Sequence, residues 1–343
     1  MSLSILEIKN YVSPRWCQNG HLQTVWRKLF GAIPVLPRLF RERWETPDDD
    51  FLDLDFMGFS AEKLKGNQDP IVLCLHGFEG SSEAKYIKGM LYAVGQMGWR
   101  GVALNFRSCS GEMNRQPRFY HSGETSDLNW VMERLSLRYP DAPFFVVGFS
   151  LGGNVLLRYL GEGGATAASL IQAAVAISVP YDLGMVARRI DTGFMRVYGQ
   201  NFLKTLKEKM IQKAVRYPSL IDPIRVASIK SYIEFENRAF APLHHFKDAK
   251  DYWRQCSAQY FLEGVSCPTL ILHSEDDPFL PGAHLPKKIF EASKWLVPEI
   301  SKNGGHVGFM QGALPWRVNY WAEARTMVFF SKFLNETQKN GEY

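Results

Sequence analysis

An α/β architecture, a mostly parallel central sheet covered by helices on both faces, follows from three features of the 343-residue sequence. Between Asp69 and Val179, short apolar runs alternate with longer runs of helical period, which is how strands joined by crossover helices read. The strand-like runs are apolar throughout rather than alternating, so the sheet they form must be covered on both sides. Hydrophobic residues make up 46% of the chain and charged residues 22%, which suits a sizeable core and excludes a disordered chain.

The elements follow in order. Ile71 to Leu75 predicts a first central strand, and Glu83 to Met97 a helix, with Tyr86, Ile87, Met90, Leu91 and Val94 at helical spacing. Val102 to Phe106 predicts the second strand. A helix then carries Leu128, Val131, Met132 and Leu135 on one face and stops at Pro140. Phe144 to Val147 runs into GFSLGGNVLLRYL as strand and helix, and Ala173 to Val179 is a fourth strand. Upstream, ERWETPDDDFLDLDFMG reads as a hairpin, because Phe51, Asp53 and Asp55 alternate with Leu52, Leu54 and Phe56 beside a Pro-Asp-rich turn. Residues 183–262 lack strand-like runs and show amphipathic helices instead, with Phe202, Leu206, Met210, Ile211 and Ala214 on one face. Thr269 to Leu272 resumes the α/β rhythm, and a long helix from Trp316 to Leu334 closes the chain. The expected organisation is one domain: an N-terminal arm 1–39, a core over about 40–182 and 263–343, and a helical cap inserted at about 183–262.

Charge and cysteine content narrow the function classes. The net charge is +5, and residues 183–262 hold 14 Lys and Arg against 7 Asp and Glu, so the basic excess belongs to the cap. There is neither a nucleic-acid recognition motif nor a basic stripe interleaved with stacking aromatics, so no nucleic-acid partner is expected. The five cysteines (Cys17, Cys74, Cys109, Cys256, Cys267) include no C-x-x-C pair, which points to a reducing cytoplasm rather than to disulfides or zinc. MSLSILEIKNYVSPRW lacks the pattern of a secretory signal, and no apolar run approaches the roughly 18 residues of a membrane span. Contact with lipid is expected only at the surface.

The sharpest local signal is Gly148-Phe149-Ser150-Leu151-Gly152 between a strand and a helix. A G-x-S-x-G in that setting puts the serine on a tight, strained turn with its hydroxyl projecting, so Ser150 is the candidate nucleophile. An oxyanion would be met by the amide of Leu151 at the following helix N-terminus and by that of Phe78 in the loop His76-Gly77-Phe78-Glu79-Gly80. His76 reads as a structural organiser of that loop. With chain order Ser, acid, His, the base is His306, in the glycine-flanked stretch Asn303 to Phe309 where a mobile, exposed imidazole is expected. The acid lies in Ser274-Glu275-Asp276-Asp277-Pro278. Its usual spacing from the proline opening the next helix, here Pro281, selects Asp277 over Asp276, leaving Asp276 as a solvated loop charge or a helix cap. His244 and His245 diverge on a helix and make no metal pair. Without H-E-x-x-H, paired carboxylates at ligand spacing or G-x-G-x-x-G, neither a metal nor a cofactor is expected.

Several motifs in order, Asn19-Gly20-His21-Leu22-Gln23-Thr24, Asn105-Phe106-Arg107, Tyr120-His121-Ser122-Gly123-Glu124-Thr125, Ala241-Pro242-Leu243-His244, Asp251-Tyr252 and Asp276-Asp277-Pro278-Phe279, resemble the YheT-like branch of the α/β hydrolases. That branch includes eukaryotic abhydrolase-domain lipases, and the resemblance spans Asn19 to about Leu334. It implies the α/β-hydrolase fold, nucleophile Ser150, acid Asp277, base His306 and a carboxylic-ester or lipid-ester substrate. Two departures stand out: the sequence shows no N-terminal membrane anchor of the kind eukaryotic relatives carry, and His245 stands where the cap pattern has glycine. NGHLQT and YHSGET read as packing motifs.

The expected function is hydrolysis of a small-molecule carboxylic ester, lipid-like in character, through an acyl-enzyme on Ser150. The aromatics Phe78, Phe149, Trp253 and Phe309 near the motif loops would suit an apolar acyl chain. A thioesterase or an acyltransferase would use the same triad, and a binding module with a vestigial triad is the alternative outside catalysis.

Overall fold

The protein is described by a computed structural model over residues 10–32, 34–59 and 68–340. Residues 1–9, most of the segment checked for a targeting signal, lie outside the described residues. The main sheet contains β1 (Phe40–Thr46), β2 (Asp50–Met57), β3 (Ile71–Leu75), β4 (Arg100–Asn105), β5 (Phe144–Phe149), β6 (Ala173–Ile177), β7 (Thr269–Ser274) and β8 (Leu296–Ser301). Their spatial order is β1-β2-β4-β3-β5-β6-β7-β8. β2 runs antiparallel to both its neighbours, and every other adjacent pair is parallel.

Helices α1 (Gly20–Phe30), α2 (Lys85–Gln96), α3 (Ser126–Arg138) and α4 (Leu151–Leu170) surround the first half of the sheet. The alternation of β3 shows why both faces need cover. Ile71, Leu73 and Leu75 enter one apolar layer with Leu128 and Val131 of α3 and Val155 of α4. Val72 and Cys74 enter another with Ile87 and Met90 of α2 and Phe330 of the C-terminal helix (Trp321–Asn340). All five β3 residues are fully buried, and each Leu, Ile or Val so placed contributes roughly 1.5–3 kcal/mol.

The hairpin forms as β1 and β2, but the alternation in β2 does not give it a solvated face. Asp53 and Asp55 are buried because their cross-strand partners Arg43 and Arg41 lie over them, at 2.8 Å in each pair. Asn105 donates to both the Asp53 carbonyl and the Asp55 carboxylate. Arg107 grips Asp127 through two nitrogens at 2.7 Å and Asp50 at 2.8 Å. The Asn105-Phe106-Arg107 motif thus ties the hairpin to the central strands.

One expectation needs correction, and one strand carries no sequence signal. The final helix begins at Trp321 rather than Trp316, because Arg317–Tyr320 pairs with Met310–Leu314 in a separate hairpin turning at Pro315-Trp316. β8 was not expected at all. It is a half-exposed edge strand carrying Pro298 and Glu299, which break the apolar run that marks a central strand.

Between β6 and β7 the chain is helical. It starts with α5 (Leu183–Ile190) and α6 (Arg196–Arg216), continues through shorter turns to Gly264, and packs its own apolar layer of Leu203, Leu206, Met210, Phe235, Phe240 and Trp253. His245 lies there at φ +64, a left-handed conformation that glycine adopts without strain. Among the described residues no helix is long and apolar enough to cross a membrane.

Candidate active site

The loops after β3, β5, β7 and β8 leave the carboxyl edge of neighbouring parallel strands, where side chains from four segments converge. Ser150 sits between β5 and α4 with φ +52 and ψ −118, a strained backbone for a residue with a Cβ, costing about 1–3 kcal/mol. Its amide is held by the Ile177 carbonyl at 2.8 Å. The flanking glycines are needed for close approach. A Cβ on Gly152 would lie 2.5 Å from the Leu75 carbonyl oxygen and 2.6 Å from that of His76, and one on Gly148 would lie 2.5 Å from the Gly152 oxygen.

The structure brings the three sequence-predicted side chains together. His306 Nε2 is 2.8 Å from Ser150 Oγ, and His306 Nδ1 is 2.8 Å from Asp277 Oδ2. Because a carboxylate only accepts, Nδ1 carries the proton and Nε2 is left to accept from the serine hydroxyl. Asp277 is buried and its other oxygen accepts from the amides of Phe279 (2.8 Å) and Leu280 (3.3 Å). Burial pushes its carboxyl up, but the charge and hydrogen bond of His306 outweigh this and leave it below the ordinary carboxylate range. His273, buried beside it, donates Nε2–H to the Leu280 carbonyl and is pushed by burial below the usual imidazole range.

The His306 side chain is only 14% exposed, and its loop is fastened rather than free. Gly305 donates its amide to Asp276 Oδ1 at 2.8 Å and receives the Ser274 hydroxyl on its carbonyl at 2.8 Å. Val307 donates to Ser178 Oγ at 3.0 Å. Asp276 is therefore half-buried and bonded, not a solvated charge or a helix cap.

Across from the imidazole, Gly77 brings the loop after β3 against the nucleophile; a Cβ there would meet Ser150 Cβ at 3.1 Å. Leu151 is the first residue of α4, so its amide has no acceptor within the helix. His76 is fully buried, with Nδ1 2.7 Å from the Gly77 carbonyl and Nε2 accepting from the Phe106 amide at 3.0 Å. Burial lowers its pKa to about 4, which keeps it neutral. Tyr120, from the YHSGET motif, accepts from the Glu79 amide at 2.7 Å and donates to the Glu79 carboxylate, which also pairs with Lys209 of α6 at 2.9 Å.

Beside this loop a small apolar cavity of about 10 Å³, room for about one water molecule, lies between Phe78, Phe119, Tyr120, Leu206, Met210 and Phe240. The Phe78 ring meets Phe202 and Tyr232 at 5.1 and 6.0 Å, while Phe279 meets Tyr198 at 5.3 Å and the His306 ring at 4.6 Å. The other aromatics expected near substrate are elsewhere. Phe149 packs on Tyr86, Trp253 is inside the helical layer, and Phe309 is fully buried against Tyr11 and Trp321.

Residues 70–313 match the alpha/beta hydrolase fold family. The chain belongs to the α/β hydrolases. Within that family it is 37% identical over 340 residues to the Escherichia coli (strain K12) protein YheT, whose name assigns it provisionally as an esterase, with 94% of each chain covered. It is 28% identical to the human phospholipase ABHD3, over 91% of this chain and 76% of that one. The Saccharomyces cerevisiae monoacylglycerol lipase is 26% identical over 74% of this chain and 58% of its own. An esterase structure from Pyrococcus furiosus shares the α/β-hydrolase fold at a TM-score of 0.57 and 16% identity, covering 87% of this chain and 91% of that one. Among the described residues no cluster of three or more His, Cys, Asp or Glu is arranged to hold a metal.

Sequence reasoning missed the residues that fasten the family's loops here: Ser178, Ser274, Asp276 and Tyr120. Ser178, Ser274 and Asp276 lie in or beside a strand end and Tyr120 in the loop before α3, but only the folded pairing shows which loop each reaches.

Proposed function

We propose that this α/β hydrolase is a serine enzyme that cleaves carboxylic esters of apolar acyl groups. The observation that carries the reading is the unbroken hydrogen-bonded path Ser150, His306, Asp277 at 2.8 Å per link, starting from a nucleophile on a strained turn. Ser150 Oγ attacks the ester carbonyl while His306 Nε2 takes its proton, and the tetrahedral oxyanion is met by the amides of Phe78 and Leu151. His306 then protonates the departing alkoxide, leaving an ester between Ser150 and the acyl group. Water, deprotonated by His306, attacks that ester and releases the carboxylic acid. Asp277 holds the imidazole tautomer and offsets its positive charge.

The apolar lining beside Phe78 would suit an acyl chain once its side chains part to admit one, and the esterase, phospholipase and lipase names of the relatives support an ester of lipid character. The helices of residues 183–262 act as a cap over this site, on a core of about 40–182 and 263–343. The five free thiols fit a cytoplasmic setting. The test is a fluorophosphonate probe followed by peptide mass spectrometry, with a panel of acyl esters assayed on wild-type and Ser150→Ala protein. The expected result is labelling at Ser150 and loss of both labelling and turnover in the variant. Undiminished ester turnover by Ser150→Ala would overturn the reading.

A further inference from the structure

The His306 loop carries backbone that it does not hold by itself. Gly305 has φ +59, and the β-branched Val307 has φ +60, where such a side chain is rarely found. Such a conformation persists only when surrounding groups over-determine it. Three consecutive amides, those of Gly305, His306 and Val307, are each received by a side-chain oxygen from a different segment. The middle one is received by Thr24, 282 positions away in sequence, at 2.9 Å.

Thr24 is fully used in this role. Its own hydroxyl proton goes to the Gly20 carbonyl at 2.6 Å, one turn back along α1, which leaves the oxygen lone pairs facing the His306 amide. The helix around it is pressed onto both catalytic loops. A Cβ on Gly20 would lie 2.1 Å from the Asp276 carbonyl oxygen, and one on Gly305 would lie 2.3 Å from that of Gly20. Asn19 caps α1 through the Leu22 amide. Gln23, fully buried, donates to the Cys17 carbonyl and accepts from the Met310 amide at 3.2 Å, fastening the far end of the loop. The NGHLQT motif is accordingly a bracket that receives two backbone amides, that of His306 on Thr24 and that of Met310 on Gln23.

We propose that Thr24 is a positioning residue for the base, holding the His306 backbone so that its imidazole spans Asp277 and Ser150. The proposal rests on the reading of His306 as general base. Thr24→Val keeps the shape and removes the acceptor; Thr24→Ser keeps the acceptor. In Thr24→Val, kcat on a short acyl ester should fall about 10²-fold, the scale of a misplaced catalytic group, with KM unchanged. The downfield proton resonance of His306 Nδ1–H in wild-type protein should shift or vanish in Thr24→Val and return in Thr24→Ser together with kcat. Should the valine variant fail to fold, Thr24→Ala removes the same acceptor and takes its place.

Wild-type kcat in a folded Thr24→Val or Thr24→Ala protein would overturn the proposal, as would a loss that serine does not restore or that appears only in KM. His306→Ala, run alongside, separates the two claims. Turnover surviving in that variant removes the base assignment itself, whereas an inactive His306→Ala beside a fully active Thr24→Val removes only the role of Thr24.

Discussion

Asp276 and Asp277, adjacent in sequence, hold the same loop at two points: Asp277 Oδ2 meets the His306 imidazole at 2.8 Å, and Asp276 Oδ1 meets the Gly305 amide at 2.8 Å. One carboxylate acts on the ring and the other on the backbone carrying it. Asp277→Asn should therefore favour the wrong tautomer and cost on the order of 10⁴ in turnover. Asp276→Ala removes the anchor of the Gly305 amide and a weaker contact with Asn303 and should cost roughly 10- to 10²-fold, with Asp276→Asn milder because its amide oxygen still accepts. Steady-state assays on one ester, after thermal melting confirms folding, check the ranking. A larger loss at Asp276 than at Asp277 would reverse the assignment.

What the sequence made legible divides along a physical line. β3 to β6 could be read because strands buried on both faces must be apolar throughout, and Ser150 because its turn requires Gly148 and Gly152 where backbones touch. β8 could not, since an edge strand tolerates Pro298 and charge. Within β2, the burial of Asp53 and Asp55 could not be read, because their cover comes from Arg43 and Arg41 across the hairpin. Asp277 could be chosen from loop spacing, yet the work of Asp276 and Thr24 could not. Each acts through a backbone amide far along the chain, and an amide leaves no mark on residue type.

Gly152→Ala tests the elbow by geometry alone. The added methyl would press into two carbonyl oxygens at 2.5 and 2.6 Å, both backbone, so either α4 or the loop carrying Phe78 must move. Overpacking of this kind costs typically about 1–3 kcal/mol, which should appear as a lower melting temperature. On the proposed mechanism, in which the displaced loop supplies an oxyanion donor, the ester kcat should also fall about 10²-fold or more. Unchanged melting and unchanged kcat would contradict the close packing.

Glu236 gives the helical segment a pH signature. Its carboxyl is buried, receives the Trp253 indole N–H at 2.7 Å, and is raised by burial from about 4.5 to about 8. Below pH about 4.5 the group is protonated in both folded and unfolded chains. Between about 4.5 and 8 the unfolded chain ionises while the folded one keeps its proton, so its contribution to stability falls as pH rises through that window. Glu236→Gln removes this dependence. Melting temperatures of the variant and the wild type should diverge in favour of the variant as pH goes from 5 to about 8; a constant difference would show that the carboxyl is not held neutral.

The cavity beside Phe78 predicts how acyl-chain length is read. Each methylene that seats against this lining leaves water and contributes up to about 0.8 kcal/mol, or about fourfold in kcat/KM, less what parting the lining side chains costs. Met210 lines that space and is itself 1% exposed, so a larger side chain there can fill the cavity only by displacing the substrate. Met210→Trp should move the optimum of an ester series to shorter chains and flatten the rise with length, while kcat/KM for acetyl esters stays close to wild type because the reacting groups are untouched. Met210→Ala should move the optimum the other way, at a stability cost of about 2–5 kcal/mol for a truncated core methionine, so its assays belong well below its melting temperature. If all three proteins share one chain-length profile, the acyl group lies elsewhere, and the next site to probe is the mouth where Phe279 covers His306.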